Sequence, residues 1–368
     1  MQTLIKNVKE LSGNTIDILI EAGKIKAMGS NLSADETATV LDVKGESYVS
    51  AGWVDAHVHA YAKEGLVFSD QPDDIGIKLG VTTLIDAGTA GADDIKAFSE
   101  LAQRAKTNVY AMMNASRVGL SEPHELSKME NVDEVLFEKV AREYPAFVVG
   151  VKARMSRTVV GENELEPLKS ALRMKQATGL PLMVHVGSVP PQLDEILEIM
   201  GEGDIMTHCF NGKANGIVDQ ATQTIKGFVH DAYKKGMIFD IGHGSESFSF
   251  NTAKVALTEG IKAHCISTDI YKRNREGGPV YDFATTMEKM LLVGYALEEV
   301  IDKVTRVPAQ MFNLSQKGRL EVGADGDLTL FKQVTGTKEF VDSEGQKETG
   351  TQQIIPTHAI VGGEIYVC

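Results

Sequence analysis

Cysteine is scarce. The chain has three in 368 residues, Cys209, Cys265 and Cys368, too few and too scattered to frame a disulfide-built domain. Long apolar runs are also missing. No stretch approaches the ~20 residues that a membrane-spanning helix needs, and the opening MQTLIKNVKELSG lacks the apolar core of a secretory signal. Positive charge is short as well: 37 Lys and Arg stand against 51 Asp and Glu, for a formal net charge of −14. That field repels phosphate backbones, and no basic stripe offsets it, so nucleic acid is excluded as a partner. No Gly-x-Gly-x-x-Gly turn follows the first apolar run, which argues against a dinucleotide-binding open sheet. Low-complexity tracts and sequence repeats are absent too. What remains, 43% hydrophobic and 24% charged, reads as an ordinary globular chain, expected to be soluble and cytoplasmic with no membrane partner.

Three textures follow one another along the chain. Residues 1–51 alternate in short strand-like segments such as Thr15–Glu21 and Lys24–Met28, punctuated by glycine. From Gly52 onward, short apolar runs ending in a polar residue alternate with stretches of helical period. The runs are 53–57, 81–86, 109–114, 147–152, 181–185, 204–208, 237–240 and 265–269. Helical patterns fall at 94–104, 132–143, 165–176 and 193–200. Nearly continuous apolar character suits parallel strands buried on both faces. Eight strand–helix units in roughly 250 residues match the size of a (β/α)8 TIM barrel, here spanning 52–316. Strand-and-turn texture returns over 317–368. Edge strands at the two ends can satisfy each other, so 1–51 and 317–368 are expected to form one small, split, β-sandwich-like domain.

The residues that end each run carry the chemistry. In such a barrel these positions meet at the C-terminal mouth. They are His57 and His59, Asp86, Asn114, Lys152, His185, His208, Asp240 and Asp269. His57 and His59 lie two apart on a strand, so both rings share a side and can grip one ion, with His185, His208 and Asp269 near. Imidazoles with a carboxylate suit zinc and its borderline neighbours. A lone histidine is usually a core or surface residue; five metal-type side chains at successive strand ends are not. Lys152 is odd among them, because an ammonium repels cations. Desolvation and cationic neighbours favour its neutral amine, which captures CO₂ as a carbamate able to bridge two ions. The alternative is an ordinary ion pair with a rim carboxylate such as Asp86. Arg154 shares the side of Lys152 and offers a catalytic partner for a tetrahedral oxyanion, an anchor for a substrate carboxylate, or a rim ion pair. His243, just past the seventh run, has two readings, support behind the ligands or substrate contact. His124, His230, His264 and His358 fall outside the pattern. Cys209 should turn away from the mouth.

The segments Gly52-Trp-Val-Asp-Ala-His-Val-His, Gly150-Val-Lys-Ala-Arg, Val184-His, Thr207-His-Cys-Phe-Asn-Gly and Ser267-Thr-Asp, with the tail Gly323-Ala-Asp-Gly-Asp-Leu, resemble the amidohydrolase superfamily over essentially the whole chain. The likeness is to two-metal hydrolases of the dihydroorotase and hydantoinase type. More narrowly, Val151-Lys-Ala-Arg-Met-Ser with Phe239-Asp-Ile-Gly-His-Gly resembles a bacterial deacetylase branch. One departure is Ala51-Gly52, where many relatives have Pro-Gly; it touches a turn only.

The resemblance implies two zinc ions: one on His57, His59 and Asp269, one on His185 and His208, bridged by carboxylated Lys152. It implies attack by the bridging hydroxide, with Asp269 as general acid and base. The implied reaction is removal of an acetyl group from small amino or hydroxy carboxylates. Cyclic-amide hydrolysis and purine deamination are the alternatives, and a non-catalytic scaffold is the reading from another class. Arg154, His243 and Tyr271 are the expected substrate contacts. The loop 270–278, with Lys272, Arg273 and Arg275, is either a solvated face or an anion site. The substrate is expected to be small and anionic, and the protein a homo-oligomer.

Overall fold

A computed structural model describes residues 2–368. Five strands open the chain: β1 (Gln2–Lys9), β2 (Thr15–Glu21), β3 (Lys24–Gly29), β4 (Thr39–Asp42) and β5 (Tyr48–Ala51). There follow β6 (Trp53–Val58), β7 (Val81–Ala87), β8 (Asn108–Asn114), β9 (Val148–Met155), β10 (Leu182–Val186) and β11 (Ile205–Thr207). A two-stranded ribbon, β12 (Val218–Asp219) and β13 (Thr224–Ile225), precedes β14 (Ile238–Phe239). The chain closes on β15 (Leu328–Val341), β16 (Lys347–Val361) and β17 (Glu364–Val367).

Strands β6 to β11 and β14 form one parallel seven-stranded sheet in chain order. Helices such as Ile95–Ala102, Glu134–Glu143, Glu166–Thr178 and Leu193–Ile199 lie between them, each near the helical pattern read from the sequence. Successive strands with a helix between them pack side by side in parallel, which gives a mixed α/β fold with a curled sheet. The eighth apolar run forms no regular strand. It joins both edges of the sheet by single parallel bridges, Asp240 with Cys265 and Val58 with Ile270. The ladder stops there because Gly242, Gly244 and Asp269 sit at φ +47°, +55° and +53°, outside extended geometry.

Most of the apolar core lies between the sheet and its helices, around residues such as Leu84, Phe98, Phe137, Val184 and Phe239. A smaller cluster from the opposite strand face includes Val54, Ile85, Met112, Met183 and Ile205. Met183 of that cluster touches the Lys152 amine at 3.3 Å, so this apolar plug is the floor beneath the strand-end residues.

The two termini share an eight-stranded sheet in the order β17-β16-β15-β5-β1-β2-β3, with β4 beside β1. Trp53 joins this sheet to the other. Its ring is fully buried between Phe331 and Phe283, at 5.8 and 6.2 Å between centroids, and its Nε1 donates to Ser50 Oγ at 3.1 Å.

Candidate metal centre and active site

One cavity of about 450 Å³ opens at the C-terminal ends of the parallel strands. His57, His59, Lys152, Arg154, His185, His208, Asp269 and Tyr271 all line it. Strand alternation explains the pairs: 57 with 59, and 152 with 154, each lie two residues apart on one side.

Donor atoms of His57, His59 and Asp269 lie within 4.8 Å of one another. Asp269 Oδ1 stands 3.0 Å from His59 Nε2 and 3.4 Å from His57 Nε2. The rings of His208 and His185 are 4.4 Å apart, and His208 is 5.1 Å from His57. Second nitrogens are tied down from behind. His57 Nδ1 lies 2.8 Å from Thr207 Oγ1, whose own proton goes to Asp240 Oδ2 at 2.7 Å. The hydroxyl must therefore accept from His57, which leaves Nε2 bare toward the cavity. His208 Nδ1 donates to the Gly242 carbonyl at 2.6 Å, with the same consequence. His59 Nδ1 contacts Thr89 Oγ1, and His185 Nε2 contacts Ser156 Oγ. Such outer anchoring is what metal-ligating imidazoles require.

Electrostatics favour neutral nitrogen donors. Burial, then the Lys152 charge, holds His57 well below the ordinary histidine value; burial and His208 do the same for His185. Burial pushes His208 down to about 4. Lys152, 1% exposed, is pushed down to about 7 by burial despite the pull of Asp269 and Asp240. Its amine lies 3.1 Å from His57 Nε2, and among the described residues it makes no ion pair with Asp86. Backbone strain marks the same place: His208 and Asp269 hold φ of +64° and +53°. Non-glycine residues adopt that region at a cost of roughly 1–3 kcal/mol each and do so most often at functional sites.

Asp86 and Asn114 turn out to be scaffolding. Asp86 accepts from the backbone of Ala60 and Thr89, and Asn114 donates to the Gly88 carbonyl. The structure does not bring His243 to the cavity. Its fully buried ring stacks on Phe248 and meets the Lys289 amine at 2.8 Å, behind the wall. Cys209 is buried away from the cavity. In the loop after Asp269, Arg275 pairs with Asp70 at 2.7 Å, whereas Arg273 lines the mouth. Sequence reasoning missed Phe68, Leu120, Lys213 and Ser245 in the cavity wall. Leu120 sits in the short 3-10 turn Gly119–Ser121 and the others on irregular loops, where no periodicity announces them. Glycines of positive φ beside several of these residues were the available signal for the close packing: a Cβ on Gly88 (φ +83°) would fall 2.7 Å from Lys152 Cγ, and one on Gly242 (φ +47°) 2.9 Å from His57 Nδ1.

Comparison with known proteins follows the same line. Residues 320–367 match the model of a deacetylase-like composite domain. The chain is 52% identical over 364 residues, 99% of itself and 98% of the relative, to a deacetylase of Enterococcus faecalis. It is 36% identical to a deacetylase of Brucella anthropi, covering 98% and 92% of the two chains. Among solved structures it is similar to one described as an adenine deaminase, with a TM-score of 0.97, 51% identity and coverage of 100% and 99%. Another, described as a dihydroorotase, gives a TM-score of 0.91 at 35% identity, covering 100% and 98%. The chain is a hydrolase and belongs to the deacetylase family of the amidohydrolase superfamily.

Proposed function

We propose that this chain removes acetyl groups from small acetylated amino or hydroxy carboxylates as a two-zinc enzyme. The observation that carries the reading is the cavity itself: bare imidazole nitrogens, one carboxylate and one lysine of depressed basicity meet above an apolar floor. The donor set fits metal. His57, His59 and Asp269 would hold one ion, and His185 and His208 a second. The Lys152 amine stands 3.1 Å from His57 Nε2, and an amine pushed down to about 7 could carry a carbamate that would help hold both ions. Bound metal supplies the Lewis acidity that polarises an acyl carbonyl and makes water a nucleophile near neutral pH.

The remaining chemistry belongs to the chain's own groups. Asp269, held between two imidazoles, takes the proton of the attacking water on its carboxylate and passes it to the leaving group. Arg154 reaches the cavity with its guanidinium 3.5 Å from buried Glu125, too far for that pair to use up its donors. It is the anchor for a substrate carboxylate. Arg273 at the same mouth favours an anionic substrate, Lys213 there being paired with Glu246 at 3.5 Å, while Phe68 and Tyr271 provide an apolar wall.

In the same reading, the eighth run closes the parallel sheet into a (β/α)8 barrel over 52–316. The bridges at both edges support this. The shared sheet of 1–51 and 317–368 is then the small second domain.

Purified protein grown with zinc and bicarbonate should hold about two metal ions per chain. Lys152→Ala should lose at least one of them and more than 99% of turnover. Full metal content and activity in that variant would overturn the bridging role.

A further inference from the structure

The hairpin of β15 and β16 reaches from the terminal sheet to the back of the cavity wall. Its tip, residues 342–346, is organised by one carboxylate: Asp342 Oδ1 accepts from the backbone of Glu344 and Gln346, and Oδ2 accepts from Phe250 N at 3.0 Å. From this tip Ser343 grips the loop 243–249. Its backbone N–H donates to the Phe248 carbonyl at 2.9 Å, and its Oγ accepts from Phe248 N at 3.2 Å. The same hydroxyl donates to the Gly244 carbonyl at 3.1 Å.

Gly244 O has a second donor. The Lys289 amine, buried on the helix Phe283–Val293, lies 2.8 Å from each of Pro279 O, Val341 O and His243 Nε2. A carbonyl can only accept, so His243 carries its proton on Nδ1 and donates it to Gly244 O at 2.9 Å, which leaves Nε2 facing Lys289. One carbonyl is thus fixed by the hairpin and by a histidine locked from the hairpin's neighbour.

On its other side this peptide meets the site. A Cβ on Gly244 would fall 2.5 Å from Asp269 Oδ2, so the backbone lies directly against that carboxylate. The next residue, Ser245, lines the cavity and bonds the Tyr271 hydroxyl at 2.9 Å.

We propose that Ser343 is a positioning residue for the reaction: its hydroxyl, with His243, holds the Gly244 carbonyl and so seats the 243–247 loop against Asp269. This rests on the reading of the cavity as the catalytic site. Ser343 itself is remote from the reacting atoms and half-buried at a hairpin tip, where loss of one hydroxyl leaves the backbone pairing with Phe248 in place.

The test compares Ser343→Ala, Ser343→Thr and Lys152→Ala in the zinc-loaded protein, with turnover normalised to bound metal. Ser343→Ala should lower kcat about tenfold with KM within about twofold. Ser343→Thr, which keeps the hydroxyl, should recover kcat to within about twofold, with thermal midpoints of all three chains within a few degrees of the parent. An unchanged kcat in Ser343→Ala, or an equal fall in Ser343→Thr, overturns the positioning role. Retained activity in Lys152→Ala instead overturns the reading of the cavity, whatever Ser343 does.

Discussion

Two residues make the electrostatic argument testable singly. Arg154 shares its strand face with Lys152, and a charge-assisted pair with a substrate carboxylate contributes roughly 1.5–3 kcal/mol. Acetylated α-amino or α-hydroxy acids should therefore be turned over at least about tenfold better, in kcat/KM, than their methyl esters. Arg154→Met should erase most of that preference, and equal rates on acid and ester by the parent enzyme would remove the anchor. Lys289 tests burial. It is pushed down to about 7, whereas an unfolded lysine sits near ~10.4. Between those values the unfolded chain binds a proton that the folded chain has released, so stability rises with pH. The penalty is full below the folded value and is relieved across that window, at up to ~1.4 kcal/mol per pH unit. Denaturant unfolding at pH 7.5 and 9.5 should show a shallower rise for Lys289→Met than for the parent. Equal rises would contradict the depressed basicity.

Among the elements, the parallel strands were legible because burial on both faces leaves near-continuous apolar runs, and because each run stops where its backbone reaches the mouth. That is why His57, His59, Lys152, His185, His208 and Asp269 could be gathered from sequence and do meet in one cavity. His243 was harder: three residues past a run, its ring could face either way, and the stacking on Phe248 and the Lys289 contact settle that it faces back. Turns at strand ends carry information of their own. Gly88, at φ +83° beyond β7, lies against the Lys152 stem, so Gly88→Ala combines a left-handed backbone cost of roughly 1–2 kcal/mol with a clash. Destabilisation of at least that size by denaturant titration, with more than tenfold loss of kcat/KM, is the expected result. A silent substitution would mean that Lys152 has room to move.

At the scale of the molecule, β-rich texture at both ends was enough to expect that the termini meet. The reach of the β15–β16 hairpin to the cavity wall was not legible, because it depends on long-range contacts of Ser343 and Asp342 that leave no local pattern. The terminal sheet is also a structural partner: β15 pairs with β5, and Phe331 covers Trp53. A chain ending at residue 316 exposes that tryptophan and unpairs β5, so it should show no cooperative thermal transition by circular dichroism. A transition within a few degrees of the full chain would contradict this coupling. The central claim concerns the bond that is cleaved, and the most direct measurement is product analysis of the zinc-loaded protein. It would be incubated separately with acetylated amino and hydroxy acids, dihydroorotate and adenine. Release of acetate from the acetylated carboxylates, with the ring compounds left intact, is the predicted result; ring opening of dihydroorotate or ammonia from adenine, with no acetate from any acetylated acid, would contradict it.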